Sequence, residues 1–90
     1  MARNFYLSSD VATIPREADL RAAAYARATR EARRYLAGGD RSYLDIRARL
    51  DELISEGRGE LIGRRVAADD IEAWDTSFRT MFLLRTWRPS

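Results

Sequence analysis

The chain has 90 residues, of which 46% are hydrophobic and 33% charged, a balance that is typical of a folded protein and excludes the disordered class. Its length fits one domain, residues 1–90, built around a single core. The formal net charge is only +2, and the absence of cysteine and histidine excludes disulfides, thiolate metal sites and catalysis by an imidazole base.

The first part of the chain begins with an apolar patch and continues into a helical pattern. Residues 4–10 end in turn formers and predict a brief strand or an extended arm. Thr13 is a capping residue and Pro15 is tolerated in a first turn, so a helix is predicted from there to about residue 37. Its predicted buried stripe consists of Leu20, Ala23, Ala24, Ala28, Ala32, Tyr35 and Leu36.

A second helix is predicted to end at Gly57. It begins near Asp40 or Ser42, where Ser42 followed by Asp45 imitates a capping box. Its apolar residues fall at i, i+3, i+7, i+10 and i+11, the stripe of a helix that packs on a core. These residues are Tyr43, Ile46, Leu50, Leu53 and Ile54.

Glycines at 57, 59 and 63 interrupt the helical pattern. Because glycine weakens a helix and favours turns, residues 57–66 are predicted to form a turn followed by a short strand or a flexible loop. The sequence therefore predicts a short extended segment near 60–66.

The last segment is predicted to form a third helix from Asp69 to the stop at Pro89, with Glu72 completing a variant of the capping box. The same apolar stripe recurs at Ile71, Trp74, Phe78, Met81 and Phe82. The alternative is a short helix to about Asp75 and a strand over 78–87. We therefore predict a mainly α fold, a three-helix domain with an N-terminal arm and the extended segment near 60–66; the alternative is a small α+β domain.

Carboxylates gather at 51–56 and 69–75, and they are the groups left for acid–base chemistry or magnesium binding. Converging ligands would be needed for either. In this pattern the acids are typical of a helix cap and a solvated helix face, so we predict no enzymatic activity, no cofactor and no metal site.

All sixteen basic residues are arginine, which makes bidentate contacts to phosphate. Arg33 and Arg34 suit the C-terminal end of the first helix dipole. A weak nucleic-acid surface is predicted from the arginines on one face of the first helix and in the glycine-rich segment: Arg27, Arg30, Arg34, Arg58, Arg64 and Arg65.

Three short stretches also carry a resemblance to a known family. They are Gly59-Glu60-Leu61, Gly63-Arg64-Arg65-Val66 and Asp70-Ile71-Glu72-Ala73-Trp74. Together they resemble the tail of an excisionase-type winged helix-turn-helix, in which a recognition helix leads through a wing into a second helix. The resemblance covers less than a fifth of the chain and implies DNA binding.

Large apolar side chains crowd the C-terminal segment and spread around its predicted helix. A protein interface is therefore predicted at Trp74, Phe78, Phe82, Leu83, Leu84 and Trp87. A symmetric dimer is the commonest way to cover such a surface. The alternative is that Phe5, Tyr6 and Leu7 of the arm fold over the same helix.

The function predicted from the sequence is that of a small non-enzymatic regulatory or adaptor protein, of the kind that phages or accessory genes encode. It would act through protein contact and self-association, as a homo-oligomer and with a protein partner of unknown identity. The alternative is a small DNA-binding regulator of the excisionase type. No basic leader with a long apolar stretch is present, and the longest apolar run, 81–84, is far shorter than the roughly 20 residues of a membrane helix. A cytoplasmic location and no membrane contact are therefore predicted.

Overall fold

The computed structural model describes residues 17–39 and 41–87, which form three α-helices. These are α1 (Glu17–Leu36), α2 (Tyr43–Gly63) and α3 (Ala68–Thr86). No strand occurs in these two ranges, so the mainly α, three-helix prediction is confirmed. Within the described residues, the predictions of an extended segment near 60–66, of a strand over 78–87 and of the α+β alternative are wrong. The N-terminal arm and the predicted start of the first helix lie outside the described residues.

Helix α3 is the centre of the arrangement, because it packs on both α1 and α2. Among the described residues, α1 and α2 meet only through side chains. The longest contact is between α1 and α3, and α1 buries a stripe of alanines, Ala24, Ala28 and Ala32. Small side chains let two helix backbones approach closely, which explains why this contact is so extensive.

The three predicted stripes form the core. Its fully buried large side chains are Phe78, Phe82, Ile46, Leu50 and Leu53. Phe78 stacks on Phe82, with ring centroids 6.1 Å apart, and also contacts Trp74 at 5.1 Å. The stripe predictions fail at two positions, since Ala23 and Tyr43 are exposed.

Gly57 explains why α2 does not end where the sequence predicts. It is buried, and a methyl group there would overlap carbons Cη2, Cζ2 and Cζ3 of the Trp74 indole ring. The missing side chain is therefore a packing feature, because it lets α3 lie against α2. Once packing favours the helix at this point, the chain stays helical as far as Gly63.

The C-terminus of α2 is a Schellman motif with arginine in place of the usual glycine. The Val66 amide donates to the Leu61 carbonyl at 3.0 Å, and the Arg65 amide donates to the Ile62 carbonyl at 3.0 Å. Arg65 has a φ of 62°, the left-handed conformation that this motif requires. Leu61 is part of the core, and Val66 packs against the core. This supplies the apolar contact that often accompanies a Schellman motif.

The caps of α2 and α3 differ. Ser42 caps α2 as predicted, since its hydroxyl accepts a hydrogen bond from the Asp45 amide at 3.1 Å. Helix α3 has Ala67 at its N-cap and no side-chain cap, so the capping box at Asp69 is wrong. Asp69 lies instead in the first turn, where its charge favours the helix dipole.

Candidate interaction surfaces

An apolar patch lies where the N-terminus of α2 meets the C-terminus of α3. We define it as Tyr43, Leu44, Leu84 and Trp87, which expose 46, 79, 67 and 48% of their surface. The Tyr43 and Trp87 rings meet edge to face, with centroids 6.0 Å apart. This contact joins the two helices across the patch and gives it a rigid aromatic centre.

The residues of the predicted protein interface divide between this patch and the core. Trp74, Phe78 and Phe82 expose 3% or less of their surface and hold the helices together. Leu83 is half-buried against the core. Only Leu84 and Trp87 are exposed, so they are the part of the predicted set that can contact a partner without unfolding.

Charges of both signs flank the apolar patch on α2. The Asp45 carboxylate has no ion pair in the part of the chain that the structure describes. The Arg47 guanidinium donates to the Tyr43 hydroxyl at 3.2 Å and lies over its ring, at 5.9 Å from the centroid. That hydrogen bond is the first cause that raises the pKa of Arg47 above its ordinary value. Arg47 thus stays charged beside the patch.

Half of the arginines predicted to contact nucleic acid are engaged in ion pairs within the chain. Arg27 donates to both carboxylate oxygens of Glu60, at 3.0 and 3.2 Å, and so joins α1 to α2. Arg34 lies 3.6 Å from Glu31. Arg58 pairs with two carboxylates on α3, those of Glu72 and Asp75. Arg27 and Arg58 are not free phosphate ligands, because each would first have to leave its carboxylates, whereas Arg34 makes no hydrogen bond to Glu31 and its side chain is 75% exposed.

A buried carboxylate joins α2 to α3, and sequence reasoning missed it. Asp75 accepts hydrogen bonds from Arg58 of α2, at 2.7 Å, and from Arg79 of α3, at 2.5 Å. Arg58 also donates to Glu72 at 2.7 Å, and Arg79 reaches Asp51 at 3.5 Å. Hydrogen bonding to Glu72 and Asp75 raises the pKa of Arg58 above its ordinary value. The acids that the sequence assigned to a cap and a solvated face therefore include three members of one ion-pair network.

Arg30, Arg64 and Arg65 are the predicted nucleic-acid contacts that remain without an ion pair among the described residues. Arg64 and Arg65 are exposed just after α2. However, residues 62–63, where the resemblance implies a wing between Leu61 and Arg64, are the last residues of α2, so the described chain forms no wing there.

One cavity, of about 250 Å³, lies between α1 and α2. Arg34, Arg41 and Arg49 line it together with Glu31, Tyr35 and Gly38. Arg41 lies over the Tyr35 ring, 4.9 Å from its centroid, and Arg49 pairs with Glu52 at 2.9 Å. The carboxylates of Glu31 and Glu52 offset most of this positive charge, so the cavity is not a strong anion site.

Within 17–39 and 41–87, no group of acidic side chains converges to form a metal site. None of the helices in these ranges is long and apolar enough to cross a membrane. Comparison with protein-family models, with curated proteins and with solved structures finds no match to this chain.

Proposed function

We propose that this chain is a small non-enzymatic regulatory or adaptor protein that acts through protein contact, and that a second copy of the chain covers its apolar patch. The observation that carries the proposal is the exposure of Tyr43, Leu44, Leu84 and Trp87 at one end of the helices. Their exposed parts amount to roughly 500 Å², which falls within the ~300 to 600 Å² of the largest patch on a typical monomer, a patch that is often functional.

The charges beside the patch favour a second copy as its occupant. In a two-fold symmetric dimer, the same surface of each copy forms the interface. A residue of one copy therefore contacts, on the other copy, residues that are its own neighbours on the surface. Asp45 of one copy can then pair with Arg47 of the other, twice in each dimer. A stable interface covers about 800 Å² on each partner, so the patch would supply the apolar centre and these charges the polar rim. A cytoplasmic location is part of this proposal and rests on the sequence alone.

The second candidate function is that of a DNA-binding regulator, and it rests on Arg30, Arg64 and Arg65. The acidic residues Asp69 and Asp70 follow Arg64 and Arg65 closely in the chain, which weakens attraction to phosphates there. Any such binding would be steeply salt-dependent, since it would depend on a few phosphate contacts. Replacing Arg64 and Arg65 by alanine would then flatten the dependence of log affinity on log salt concentration.

Sedimentation equilibrium over micromolar concentrations tests self-association. We expect a monomer–dimer equilibrium that the double substitution Leu84→Ala and Trp87→Ala weakens by at least about tenfold, because exposed aromatic anchors dominate interface energies. Ile62→Ala is the matched control, since Ile62 is 63% exposed at the opposite end of α2. We expect it to leave the dissociation constant unchanged within about twofold.

A strictly monomeric mass for the unaltered protein would remove the proposal. A dimer that survives the double substitution, or that Ile62→Ala weakens equally, would place the interface elsewhere. The melting temperature of each variant separates loss of the interface from loss of the fold.

A further inference from the structure

A second cavity, of about 200 Å³, lies between the C-terminal turns of α1 and α3. Thr29, Ala32, Arg33 and Leu36 of α1 line one side of it, and Arg85 of α3 lines the other. We call it the α1–α3 groove. It is formed by different residues from those of the apolar patch, although Arg85 is next to Leu84 in the chain.

No described residue neutralises the two guanidinium groups of the groove. Neither Arg33 nor Arg85 has a hydrogen bond or ion pair within the part of the chain that the structure describes. No carboxylate of the described residues lines the groove, which sets it apart from the cavity between α1 and α2 with its Glu31. Two like charges that share one cavity repel each other, and a bound anion would relieve that repulsion.

The other lining residues limit what the groove can bind. Ala32 is buried and Leu36 half-buried, so one wall of the groove is apolar. The Thr29 hydroxyl donates to the Tyr25 carbonyl at 2.8 Å, so it does not supply a donor to a ligand. Among the described residues that line the groove, the available donors are therefore the N–H groups of the two arginines, whose planar fork matches an oxyanion.

We propose that the α1–α3 groove binds an oxyanion, a phosphate group or a carboxylate, through Arg33 and Arg85 together. Arg30 has no ion pair among the described residues and precedes Arg33 by one helical turn, so it adds positive potential along the same side of α1. Each arginine also complements the negative end of its own helix dipole. If the arginines only stabilised their own helix ends, replacing one would not affect the other. In an oxyanion site, both arginines contact the same bound anion, so replacing either one weakens binding.

The test is a titration of the ¹⁵N-labelled full chain, first with inorganic phosphate and then with acetate, at constant ionic strength. We expect saturable shifts of the Nε–Hε signals of Arg33 and Arg85, with one binding curve for both. Arg33→Gln and Arg85→Gln should each weaken binding by about ten- to a hundredfold, the effect of losing one hydrogen bond to a charged group. The anion that binds more tightly identifies the ligand as phosphate or carboxylate.

The charge-matched control is Arg49→Gln, which also removes one arginine charge but lies on α2, outside the groove. We expect it to leave the affinity unchanged within about twofold. Shifts that do not saturate, or equal weakening of binding by the control substitution, would show only a diffuse response to net charge and overturn the proposal. Loss of one arginine without any effect on the other's signal would overturn it too. The double variant Leu84→Ala and Trp87→Ala separates this test from self-association, because it weakens the proposed dimer and leaves Arg33 and Arg85 in place.

Discussion

At Gly57 the indole ring of Trp74 occupies the space that a side chain would fill. Gly57→Ala forces a methyl group against a rigid ring, and overpacking of this kind costs about 1 to 3 kcal/mol of the free energy of unfolding. Gly59 is the control, because it also lies in α2 but has no atom near its missing side chain. There the same substitution should stabilise the protein by about 0.5 to 1 kcal/mol through helix propensity.

Urea unfolding of both variants measures the difference. Opposite signs for the two glycines are the expected result. If Gly57→Ala is as stable as Gly59→Ala, the close contact between α2 and Trp74 is wrong.

Arg65 adopts a left-handed backbone conformation, which is energetically unfavourable for any residue that has a side chain. Arg65→Gly should therefore stabilise the protein by up to about 1 kcal/mol, less the entropy that glycine adds to the unfolded chain. The control is Arg64→Gly, because Arg64 has an ordinary φ of −91°. It loses the same charge and should instead destabilise by about 0.5 to 1 kcal/mol. A thermal melt in which Arg64→Gly is the more stable variant would contradict the Schellman motif.

The residue scale is where the sequence predicted least. From the local sequence, Gly57 and Gly59 give the same prediction, which is that each weakens the helix. What separates them is the Trp74 ring, which a neighbouring helix supplies and no local pattern contains. The left-handed conformation of Arg65 could not be predicted from the sequence either, because that position of the motif usually holds glycine.

At the scale of the elements, Asp75 fixes α2 against α3. Its side chain is only 10% exposed, while those of Arg58 and Arg79 are 36 and 39% exposed. Asp75→Asn keeps the shape and removes the charge, and we expect a loss of about 1.5 to 3 kcal/mol, the range for hydrogen bonds to charged groups. The partial exposure of both arginines lets water solvate them and places the expected value near the lower end.

Glu52→Gln is the matched control for Asp75→Asn. Glu52 pairs with Arg49 on the same helix, at 2.9 Å, and its side chain is 64% exposed. Such a pair contributes at most about 0.5 kcal/mol. Equal changes in denaturation midpoint for the two variants would mean that the Asp75 network adds nothing to the contact between α2 and α3.

Helices and their buried faces were largely predictable, whereas their ends were not. Ile46, Leu50 and Leu53 recur with the helical period, and Ser42 carries a local capping signal, so both predictions are confirmed. The C-terminus of α2 lies six residues beyond the predicted stop at Gly57, because packing against α3 outweighs the weak helix preference of glycine.

At the scale of the whole molecule, the position of α3 changes how its apolar residues are interpreted. The sequence suggested that apolar side chains spread around this helix would remain uncovered. Because α3 packs on both other helices, its buried positions cover more than half of its circumference. Of the large apolar side chains of this segment, only Leu84 and Trp87, at the C-terminal end of α3, stay exposed. Periodicity shows which face of a helix is buried but not how the helices are arranged. It therefore predicted neither that α3 is central nor that Arg33 and Arg85 line the same groove.

The most direct test of the proposed dimer is an isotope-filtered NOE experiment on a mixture of ¹³C-labelled and unlabelled chains at dimer-forming concentration. It detects only contacts between copies. We expect intermolecular NOEs from the Leu84 and Leu44 methyl groups to the rings of Trp87 and Tyr43. NOEs confined to Ile62 and its surroundings, or none in a sample that sediments as a dimer of well-folded chains, would contradict the account.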